Sequence, residues 1–291
     1  RAQVLCCTCI GSGHELLDGR RFSRVLIDEA TQATEPATLV PLVRGARQVV
    51  LVGDHRQLPP TVISQRAERG GLSRSLFERL VEMGIEPHLL RIQYRMHPSI
   101  SLFPNQRFYE GKLEDGVEAS QRPAPRGMLW PDWDVPMAFL PVQEGEVRSP
   151  DGNSKENPAE ASWVSRILEQ LLDGGELGMS DIGIITPYAG QVRAIRDSIQ
   201  ERLDSVEVRT VDGYQGREKE VIIFSCVRSN SGGNVGFLAD SRRLNVALTR
   251  AKRGLIVIGD PETLRHDAEW AAWMDHMRSR NLEAWHLLGM S

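Results

Sequence analysis

Two adjacent carboxylates follow an apolar run near the start of the chain. In VLIDEA, Asp28 and Glu29 end a predicted strand at 25–29. An acid at the carboxyl end of such a strand can hold Mg²⁺, often through water. A neighbouring acid can orient or deprotonate an attacking water, and backbone alternation would point the two side chains in different directions. Acids at strand ends are common, so two solvated carboxylates remain the alternative for this pair alone.

Two further polar segments carry groups that could bind phosphate. Gln57 follows a predicted strand and a Gly-Asp turn in VVLVGDHRQLPP. Its amide both donates and accepts hydrogen bonds, so it could sense a γ-phosphate or its water. In QYRMHP, Arg95 is a candidate phosphate clamp because its planar fork binds two oxygens at once. Tyr94 could stack or pack, and His97, which precedes a proline, is expected to be structural.

The segment TVDGYQGREKEVIIF joins a flexible polar turn to an apolar run. Gly213 and Gly216 allow a close backbone approach to a ligand. Glu218 could accept hydrogen bonds from a ribose, and Thr210 could hold a nucleic-acid phosphate. The turn therefore predicts contacts to a nucleotide and to a nucleic acid.

The last candidate is Arg250 in RRLNVALTRAKRG. Apolar residues at i, i+3, i+4 and i+7 predict an amphipathic helix through Ala251, with Arg250 near the edge of its apolar stripe. An arginine there could project into a cleft as an arginine finger does. The alternative is that the basic residues form a solvated face, as charge runs usually do.

These segments alternate with predicted strands and helices, which favours an α/β fold with a parallel sheet. The predicted strands, all apolar runs, are 25–29, 49–54, 182–187, 206–211, 221–227 and 255–260. The predicted helices, all with one apolar face, are 75–84, 162–175, 191–203 and 244–251. We expect residues 120–137 to wrap the surface and residues 143–160 to form a mobile loop.

Composition sets broader limits. The chain has 291 residues, of which 41% are hydrophobic and 25% charged, as in a soluble globular protein of one large or two medium domains. Apolar runs stay short of the roughly 20 residues that span a bilayer, so we expect no membrane partner. The amino-terminal residues lack a secretory signal pattern, and the absence of an initial Met suggests a fragment. The net charge of −4 means that nucleic-acid binding would need a local basic groove.

The cysteines do not form a recognisable site in the sequence. Cys6, Cys7 and Cys9 are crowded together and Cys226 is distant. This spacing fits neither a paired zinc motif nor a disulfide framework. We expect reduced, partly buried thiols of an intracellular protein.

Taken in order, the polar segments resemble motifs II to VI of superfamily 1 helicases. The matching segments are DEAT (28–31), GDHRQLPP (53–60), QYRMHP (93–98), VDGYQGREKE (211–220) and LNVALTRAK (244–252). The segments GLSRSLFERL (71–80) and RFYEGKLEDGV (107–117) are similar to the up-frameshift type, the regulators of nonsense transcripts. The resemblance implies two RecA-like parallel-sheet domains: residues 1–90, incomplete, with motifs II and III, and residues 91–291 with motifs IV, V and VI.

The resemblance also implies roles for single residues. Asp28 would bind Mg²⁺, Glu29 would be the catalytic base, and Gln57 would sense the state of ATP. Arg95 and Arg250 would contact the γ-phosphate and, beside Gly216, Glu218 would contact the ribose. The candidates for nucleic-acid contacts are Thr8, Thr186, Tyr188 and Thr210. The resemblance implies ATP bound between the domains and 5′-to-3′ translocation along single-stranded RNA, with single-stranded DNA as the alternative substrate.

The chain departs from the family in one important respect. The sequence contains no GxxxxGK[ST] loop, whose lysine and backbone amides cradle phosphates. We therefore expect negligible ATPase activity from this chain alone and an active full-length parent. A DNA helicase of the same superfamily and a non-catalytic nucleic-acid-binding remnant remain alternatives, whereas a small-molecule α/β enzyme leaves the paired arginines unexplained. The closest family suggests RNA surveillance partners, a role in nonsense-mediated mRNA decay, and a cytoplasmic location, with the nucleus as a second compartment.

Overall fold

The computed structural model describes residues 2–199 and 205–288. The chain divides into two compact units, Arg1–Leu90 and Arg91–Ser291. Within the described residues, no helix is long and apolar enough to cross a membrane.

The first unit is built on a pair of parallel strands. Its helices and strands are, in chain order, β1 (Arg24–Ile27), α1 (Glu35–Leu42), β2 (Gln48–Leu51), α2 (Gln65–Arg69) and α3 (Leu76–Glu82). Strands β1 and β2 pair with Ile27 opposite Leu51. Helices α2 and α3 begin where Ser64 and Ser75 accept hydrogen bonds from the backbone amides of Ala67 and Glu78, respectively.

The strands of the first unit are shorter and more exposed than the sequence predicts. Leu26 in β1 is 66% exposed and Val50 in β2 is 52% exposed. The prediction of buried strands is wrong for these two elements, because no described helix or strand of this unit covers those side chains. Since β1 ends at Ile27, the carboxylates that follow it lie in a turn rather than in extended backbone.

The second unit contains a larger sheet. Its elements are, in chain order, β3 (Ile92–Gln93), α4 (Pro98–Phe108), β4 (Glu114–Asp115), β5 (Met137–Pro141), β6 (Val147–Arg148), β7 (Lys155–Glu156), α5 (Pro158–Asp173), β8 (Ile182–Thr186), α6 (Ala189–Ser198), β9 (Glu207–Thr210), α7 (Val211–Tyr214), β10 (Lys219–Ser225), α8 (Ser241–Leu248), β11 (Ala251–Gly259), α9 (Pro261–Leu264) and α10 (Ala268–Ser279). Among the described residues, five strands form one sheet in the order β5-β11-β10-β8-β9, and every pairing is parallel. The predicted α/β fold class is confirmed.

Apolar side chains cover both faces of this sheet. On one face, Ile184 and Ile223 pack in a core with Val164 and Leu168 of α5. On the other face, the rings of Phe139 and Phe224 pack against two tryptophans of α10, Trp273 at 5.6 Å and Trp270 at 6.0 Å, respectively. Burial on both faces explains why the strands of this sheet are continuous apolar runs.

Three predicted elements of the second unit differ from the structure. The predicted helix 244–251 ends at Leu248, and Ala251 begins β11. Residues 143–160 are not one irregular loop, because they contain the antiparallel pair β6–β7 and the start of α5. The predicted helix 191–203 corresponds to α6, which ends at Ser198, and residues 200–203 lie outside the described residues.

Candidate functional site

The two acids of the first unit lie in a tight turn that follows β1. Glu29 has φ 50° and ψ 40°, a left-handed conformation that residues other than glycine seldom adopt. Its amide donates to Oδ1 of Asp28 at 3.0 Å, and Nε2 of Gln32 donates to its Oε2 at 2.7 Å. Both acids are exposed. The strand alternation inferred from sequence does not apply to this pair, because the strand ends at Ile27 and Glu29 lies in a left-handed turn.

The turn after β1 is tied to the segment after β2. The amide of Ala30 donates to the carbonyl of Val52 at 2.8 Å, and Gly53 approaches so closely that a Cβ there would lie 3.0 Å from the backbone nitrogen of Thr31. Gln57 follows on this segment, where its Nε2 donates to Oδ2 of Asp54 at 2.8 Å. The ends of both strands therefore bring the predicted metal ligand, base and sensor to one edge of the pair.

Thr8 lies in the same unit and shares a cavity with Asp28. The cavity has a volume of about 550 Å³, and its lining includes residues 4–9 and 24–28. The Thr8 hydroxyl accepts a hydrogen bond from the amide of Gly11 at 2.9 Å and so shapes the next turn. Thr8 itself is exposed, and its contact with nucleic acid stays a prediction.

In the second unit, the predicted nucleotide-binding residues form one cluster of charges. Nε of Arg95 donates to Oε2 of Glu218 at 2.6 Å, and Nη1 donates to the carbonyl of Thr249 at 2.9 Å. Lys252 lies 3.3 Å from Oε1 of Glu218. Burial would raise the pKa of Glu218, but the hydrogen bond and charge of Arg95, together with Lys252, lower it overall.

Arg250 adjoins this cluster. Its carbonyl accepts the amide of Lys219 at 3.1 Å, so it follows α8 and leads directly into the strand pairing. The side chain is 2% exposed, with Nε donating to the carbonyl of Val246 at 3.1 Å and Nη2 to Oγ1 of Thr249 at 2.9 Å. Thr249 therefore links Arg250 to Arg95 and Glu218, and Arg250 lies beyond the helix rather than near the edge of its apolar stripe.

The sequence analysis missed Arg122, which supports this cluster. Its Nε donates to the carbonyl of Arg95 at 3.0 Å and its Nη2 to the carbonyl of Tyr94 at 3.1 Å. One guanidinium thus binds two consecutive carbonyls of the predicted phosphate-clamp segment. No motif could have identified it, because an arginine that binds backbone carbonyls needs no particular neighbours in sequence.

Other predicted residues around the cluster are placed as follows. Gly216 has φ 75°, and a Cβ there would meet nothing within 4 Å, so the backbone is open to a ligand. Tyr94 is 64% exposed and its ring leans over Gly116. His97 is buried and caps α4, where its ring accepts the amide of Ser99 at 3.1 Å. Burial lowers the pKa of His97, which fits a structural role.

The predicted nucleic-acid contacts of the second unit lie at the ends of β8 and β9. Thr210 is partly exposed and caps α7 through a 3.3 Å hydrogen bond from the amide of Gly213. Thr186 is fully buried, and Tyr188 is 5% exposed with its hydroxyl bound to Arg228 at 3.2 Å. Burial argues against direct strand contacts by the side chains of Thr186 and Tyr188.

The His, Cys, Asp and Glu side chains do not define a metal site among the described residues. Within residues 2–199 and 205–288, no group of three or more His, Cys, Asp or Glu side chains is arranged to hold a metal ion. Cys6 and Cys7 are exposed, whereas Cys226 is buried, and burial raises its pKa. A Mg²⁺ ion bound by Asp28 would complete its coordination with oxygens from the bound nucleotide and from water.

The five-stranded parallel sheet of the second unit, covered by apolar side chains on both faces, defines an α/β protein, and comparison with known families narrows the class. The chain belongs to the family described as AAA domain, since one model of that description matches residues 72–262 and a second matches residues 1–65.

Individual proteins resemble the chain over nearly its whole length. The chain is 46% identical over 288 residues to "Regulator of nonsense transcripts 1 homolog" of Drosophila melanogaster, covering 97% of this chain and 24% of that protein. It is also 46% identical over 288 residues to "ATP-dependent helicase NAM7" of Saccharomyces cerevisiae, covering 96% and 30%, respectively. The resemblance inferred from the motifs is confirmed. The chain spans less than a third of the length of either relative.

Among solved structures, the chain is similar to the PRRSV helicase. The TM-score is 0.42 at 18% sequence identity, over 81% of this chain and 34% of that chain.

Proposed function

We propose that this chain carries the motor residues of an ATP-dependent RNA helicase that moves 5′ to 3′ along a single strand and acts in nonsense-mediated mRNA decay or related RNA surveillance. The names of its relatives, a regulator of nonsense transcripts and an ATP-dependent helicase, support the proposal. One structural observation carries it: Arg95 binds Glu218 and the carbonyl of Thr249, and the side chain of Arg250 binds the hydroxyl of that same Thr249, so residues chosen from three separate motifs share one region of the second unit.

In this proposal the first unit supplies the acids for hydrolysis. The exposed Asp28 offers a hard oxygen ligand, as Mg²⁺ prefers, and the metal would neutralise charge on the phosphates. Glu29 would orient and deprotonate the attacking water. One contact suits that role: the 2.7 Å hydrogen bond from Gln32 fixes the orientation of the Glu29 carboxylate.

The second unit would supply the positive charge. Arg95 is held in a defined orientation by Glu218 through Nε and by the carbonyl of Thr249 through Nη1. Such preorganised donors stabilise developing phosphate charge without reorganising during the reaction. Arg250 would act as the arginine finger, although its present burial means that it must turn toward the phosphate. Loss of the γ-phosphate contact after hydrolysis would then bias the motor to its next state.

The test is the variant Arg250→Ala in the complete protein. An arginine finger contributes about 10³-fold or more to hydrolysis, so we expect ATPase activity to fall by that order while single-strand affinity changes little. Arg242→Ala is the matched control, because Arg242 belongs to the same basic segment and pairs with Asp240 at 3.3 Å. Equal losses of hydrolysis and strand binding would contradict the proposed role.

The choice of RNA is tested separately. ATPase activity of the complete protein should be stimulated more strongly by RNA homopolymers than by DNA homopolymers of equal length. Stronger stimulation by DNA would favour a DNA helicase of the same superfamily. Strand binding by a complete protein that cannot hydrolyse ATP would favour a non-catalytic remnant.

A further inference from the structure

An exposed aromatic ring lies between two segments that were predicted to contact nucleic acid. Phe237, in the short turn Gly236–Ala239, is 56% exposed. On one side, its ring centroid lies 5.3 Å from that of Tyr188, and its amide donates to the Tyr188 hydroxyl at 3.3 Å. On another side, the guanidinium carbon of Arg243 lies 5.5 Å from the ring centroid. The ring is held in place yet remains largely accessible.

Its neighbours connect it to both segments. Tyr188 precedes α6 and comes two residues after the end of β8. Arg243 contacts Asp212 at 3.3 Å, and Asp212 lies in α7, the short helix capped by Thr210. Phe237 therefore bridges the carboxyl ends of β8 and β9, which is where the proposed function requires a strand to pass.

The backbone beside the ring is fixed as well. Gly236 has φ 56°, and a Cβ there would lie 2.1 Å from Nη1 of Arg228 and 2.4 Å from the Tyr188 hydroxyl. Arg228 is buried and is itself held by Glu146 at 2.6 Å. Since a buried ion pair and a glycine at positive φ set the position of the turn, the exposed ring is well positioned to act as a binding platform.

We propose that Phe237 stacks against one nucleobase of the bound single strand, with Arg243 beside it balancing the charge of the adjoining phosphate. Every base has a π-face, so such a platform gives affinity without sequence preference, as a translocating motor needs. This inference rests on the proposed function and deepens it. It also assigns base contact to an exposed ring instead of the buried Tyr188.

The experiment separates base contact from phosphate contact. In the complete protein, Phe237→Ala, Phe237→Leu and Phe237→Trp are compared for binding to a uridine homopolymer and to an abasic strand of equal length. Stacking contributes about 1–3 kcal/mol per base, so alanine should weaken homopolymer binding about 5- to 150-fold. Abasic binding should change by less than about twofold, since phosphate contacts are retained. Tryptophan should bind like the unaltered protein, and leucine like alanine.

Trp133→Ala is the matched control, because Trp133 is also an exposed aromatic, at 52%, and carries no proposed role. It should leave both affinities unchanged. Equal weakening on both strands by Phe237→Ala, or full binding by Phe237→Leu, would overturn the stacking role and indicate that the ring only covers Tyr188. If the unaltered protein binds neither strand, the proposed function fails, which distinguishes that failure from a failure of stacking alone.

Discussion

Arg122 offers the sharpest test of how the second unit positions Arg95, the proposed phosphate-binding arginine. The side chain is half-buried and binds the carbonyls of Tyr94 and Arg95 at 3.1 and 3.0 Å. Replacing it with alanine removes both hydrogen bonds without touching the guanidinium of Arg95 itself. The segment would then be free to leave the orientation that Glu218 and Thr249 favour.

The magnitude follows from those two contacts. A hydrogen bond from a charged donor contributes about 1.5–3 kcal/mol when buried, and partial exposure reduces each one here to about 1 kcal/mol. Together they favour the observed orientation by about 2 kcal/mol, which corresponds to roughly a 30-fold change in population. We therefore expect kcat/KM for ATP to fall about 10- to 30-fold in Arg122→Ala. Arg122→Lys should recover part of the loss, because an ammonium can reach one carbonyl.

Steady-state ATPase kinetics and thermal melting of the complete protein form the assay. The control is Arg253→Ala, since Arg253 donates to the carbonyl of Pro123 at 2.8 Å and pairs with Glu176, so it anchors the neighbouring residue. Both variants should melt a few degrees lower, but only the Arg122 variant should lose activity. A parallel loss of activity in both variants, or unchanged kcat/KM in Arg122→Ala, would refute the positioning argument.

Two further outcomes follow from the structure. In Gly116→Ala, the new Cβ would lie 2.5 Å from the ring of Tyr94 and 2.7 Å from Ile92. We expect the displaced ring to raise KM for ATP by about tenfold without changing strand affinity. The control Gly145→Ala should change neither quantity, because nothing lies within 4 Å of a Cβ there. Burial raises the pKa of Glu160 from 4.5 to about 8 in the folded state. Between these pH values the folded state retains a proton that the unfolded chain releases. The free energy of unfolding should therefore fall as pH rises between about 4.5 and 8. Urea unfolding should show this slope, up to about 1.4 kcal/mol per pH unit, and Glu160→Gln should remove it; an unchanged slope in that variant would contradict the assignment.

The sheet of the second unit was largely predictable from sequence. Continuous apolar runs mark β8, β10 and β11 because both faces of the sheet are covered. Arg95, Glu218 and Arg250 could be chosen from sequence because phosphate and ribose chemistry limits which residue types can serve, whereas Lys252 and Arg122, which contact Glu218 and the Arg95 carbonyl, were not predicted. The exposure of β1 and β2 was not predictable, because an apolar run is the same whether or not other elements cover it.

The end of α8 shows why periodicity can mislead. Apolar residues recur at helical spacing through Ala251, yet the helix ends at Leu248. Three residues later the chain pairs with β10, and the carbonyl of Arg250 already accepts the amide of Lys219. Pairing with a strand some 30 residues away in sequence outweighs local helical preference, and no local pattern reports it. That pairing also fixes the position of the Arg250 backbone.

Residues that position others are harder to identify than residues that bind ligand. Arg95 was recognisable because a phosphate clamp must be cationic and forked. Arg122 binds only backbone carbonyls, and Phe237 is held through Tyr188 and Arg243, so neither interaction imposes a sequence pattern. In the structure, however, the direction of the Arg95 guanidinium depends on Glu218, which accepts a hydrogen bond from it, and on Arg122, which binds the Arg95 carbonyl. The orientation of Arg95 therefore depends on three segments of the chain, and the motif that contains Arg95 supplies only its positive charge.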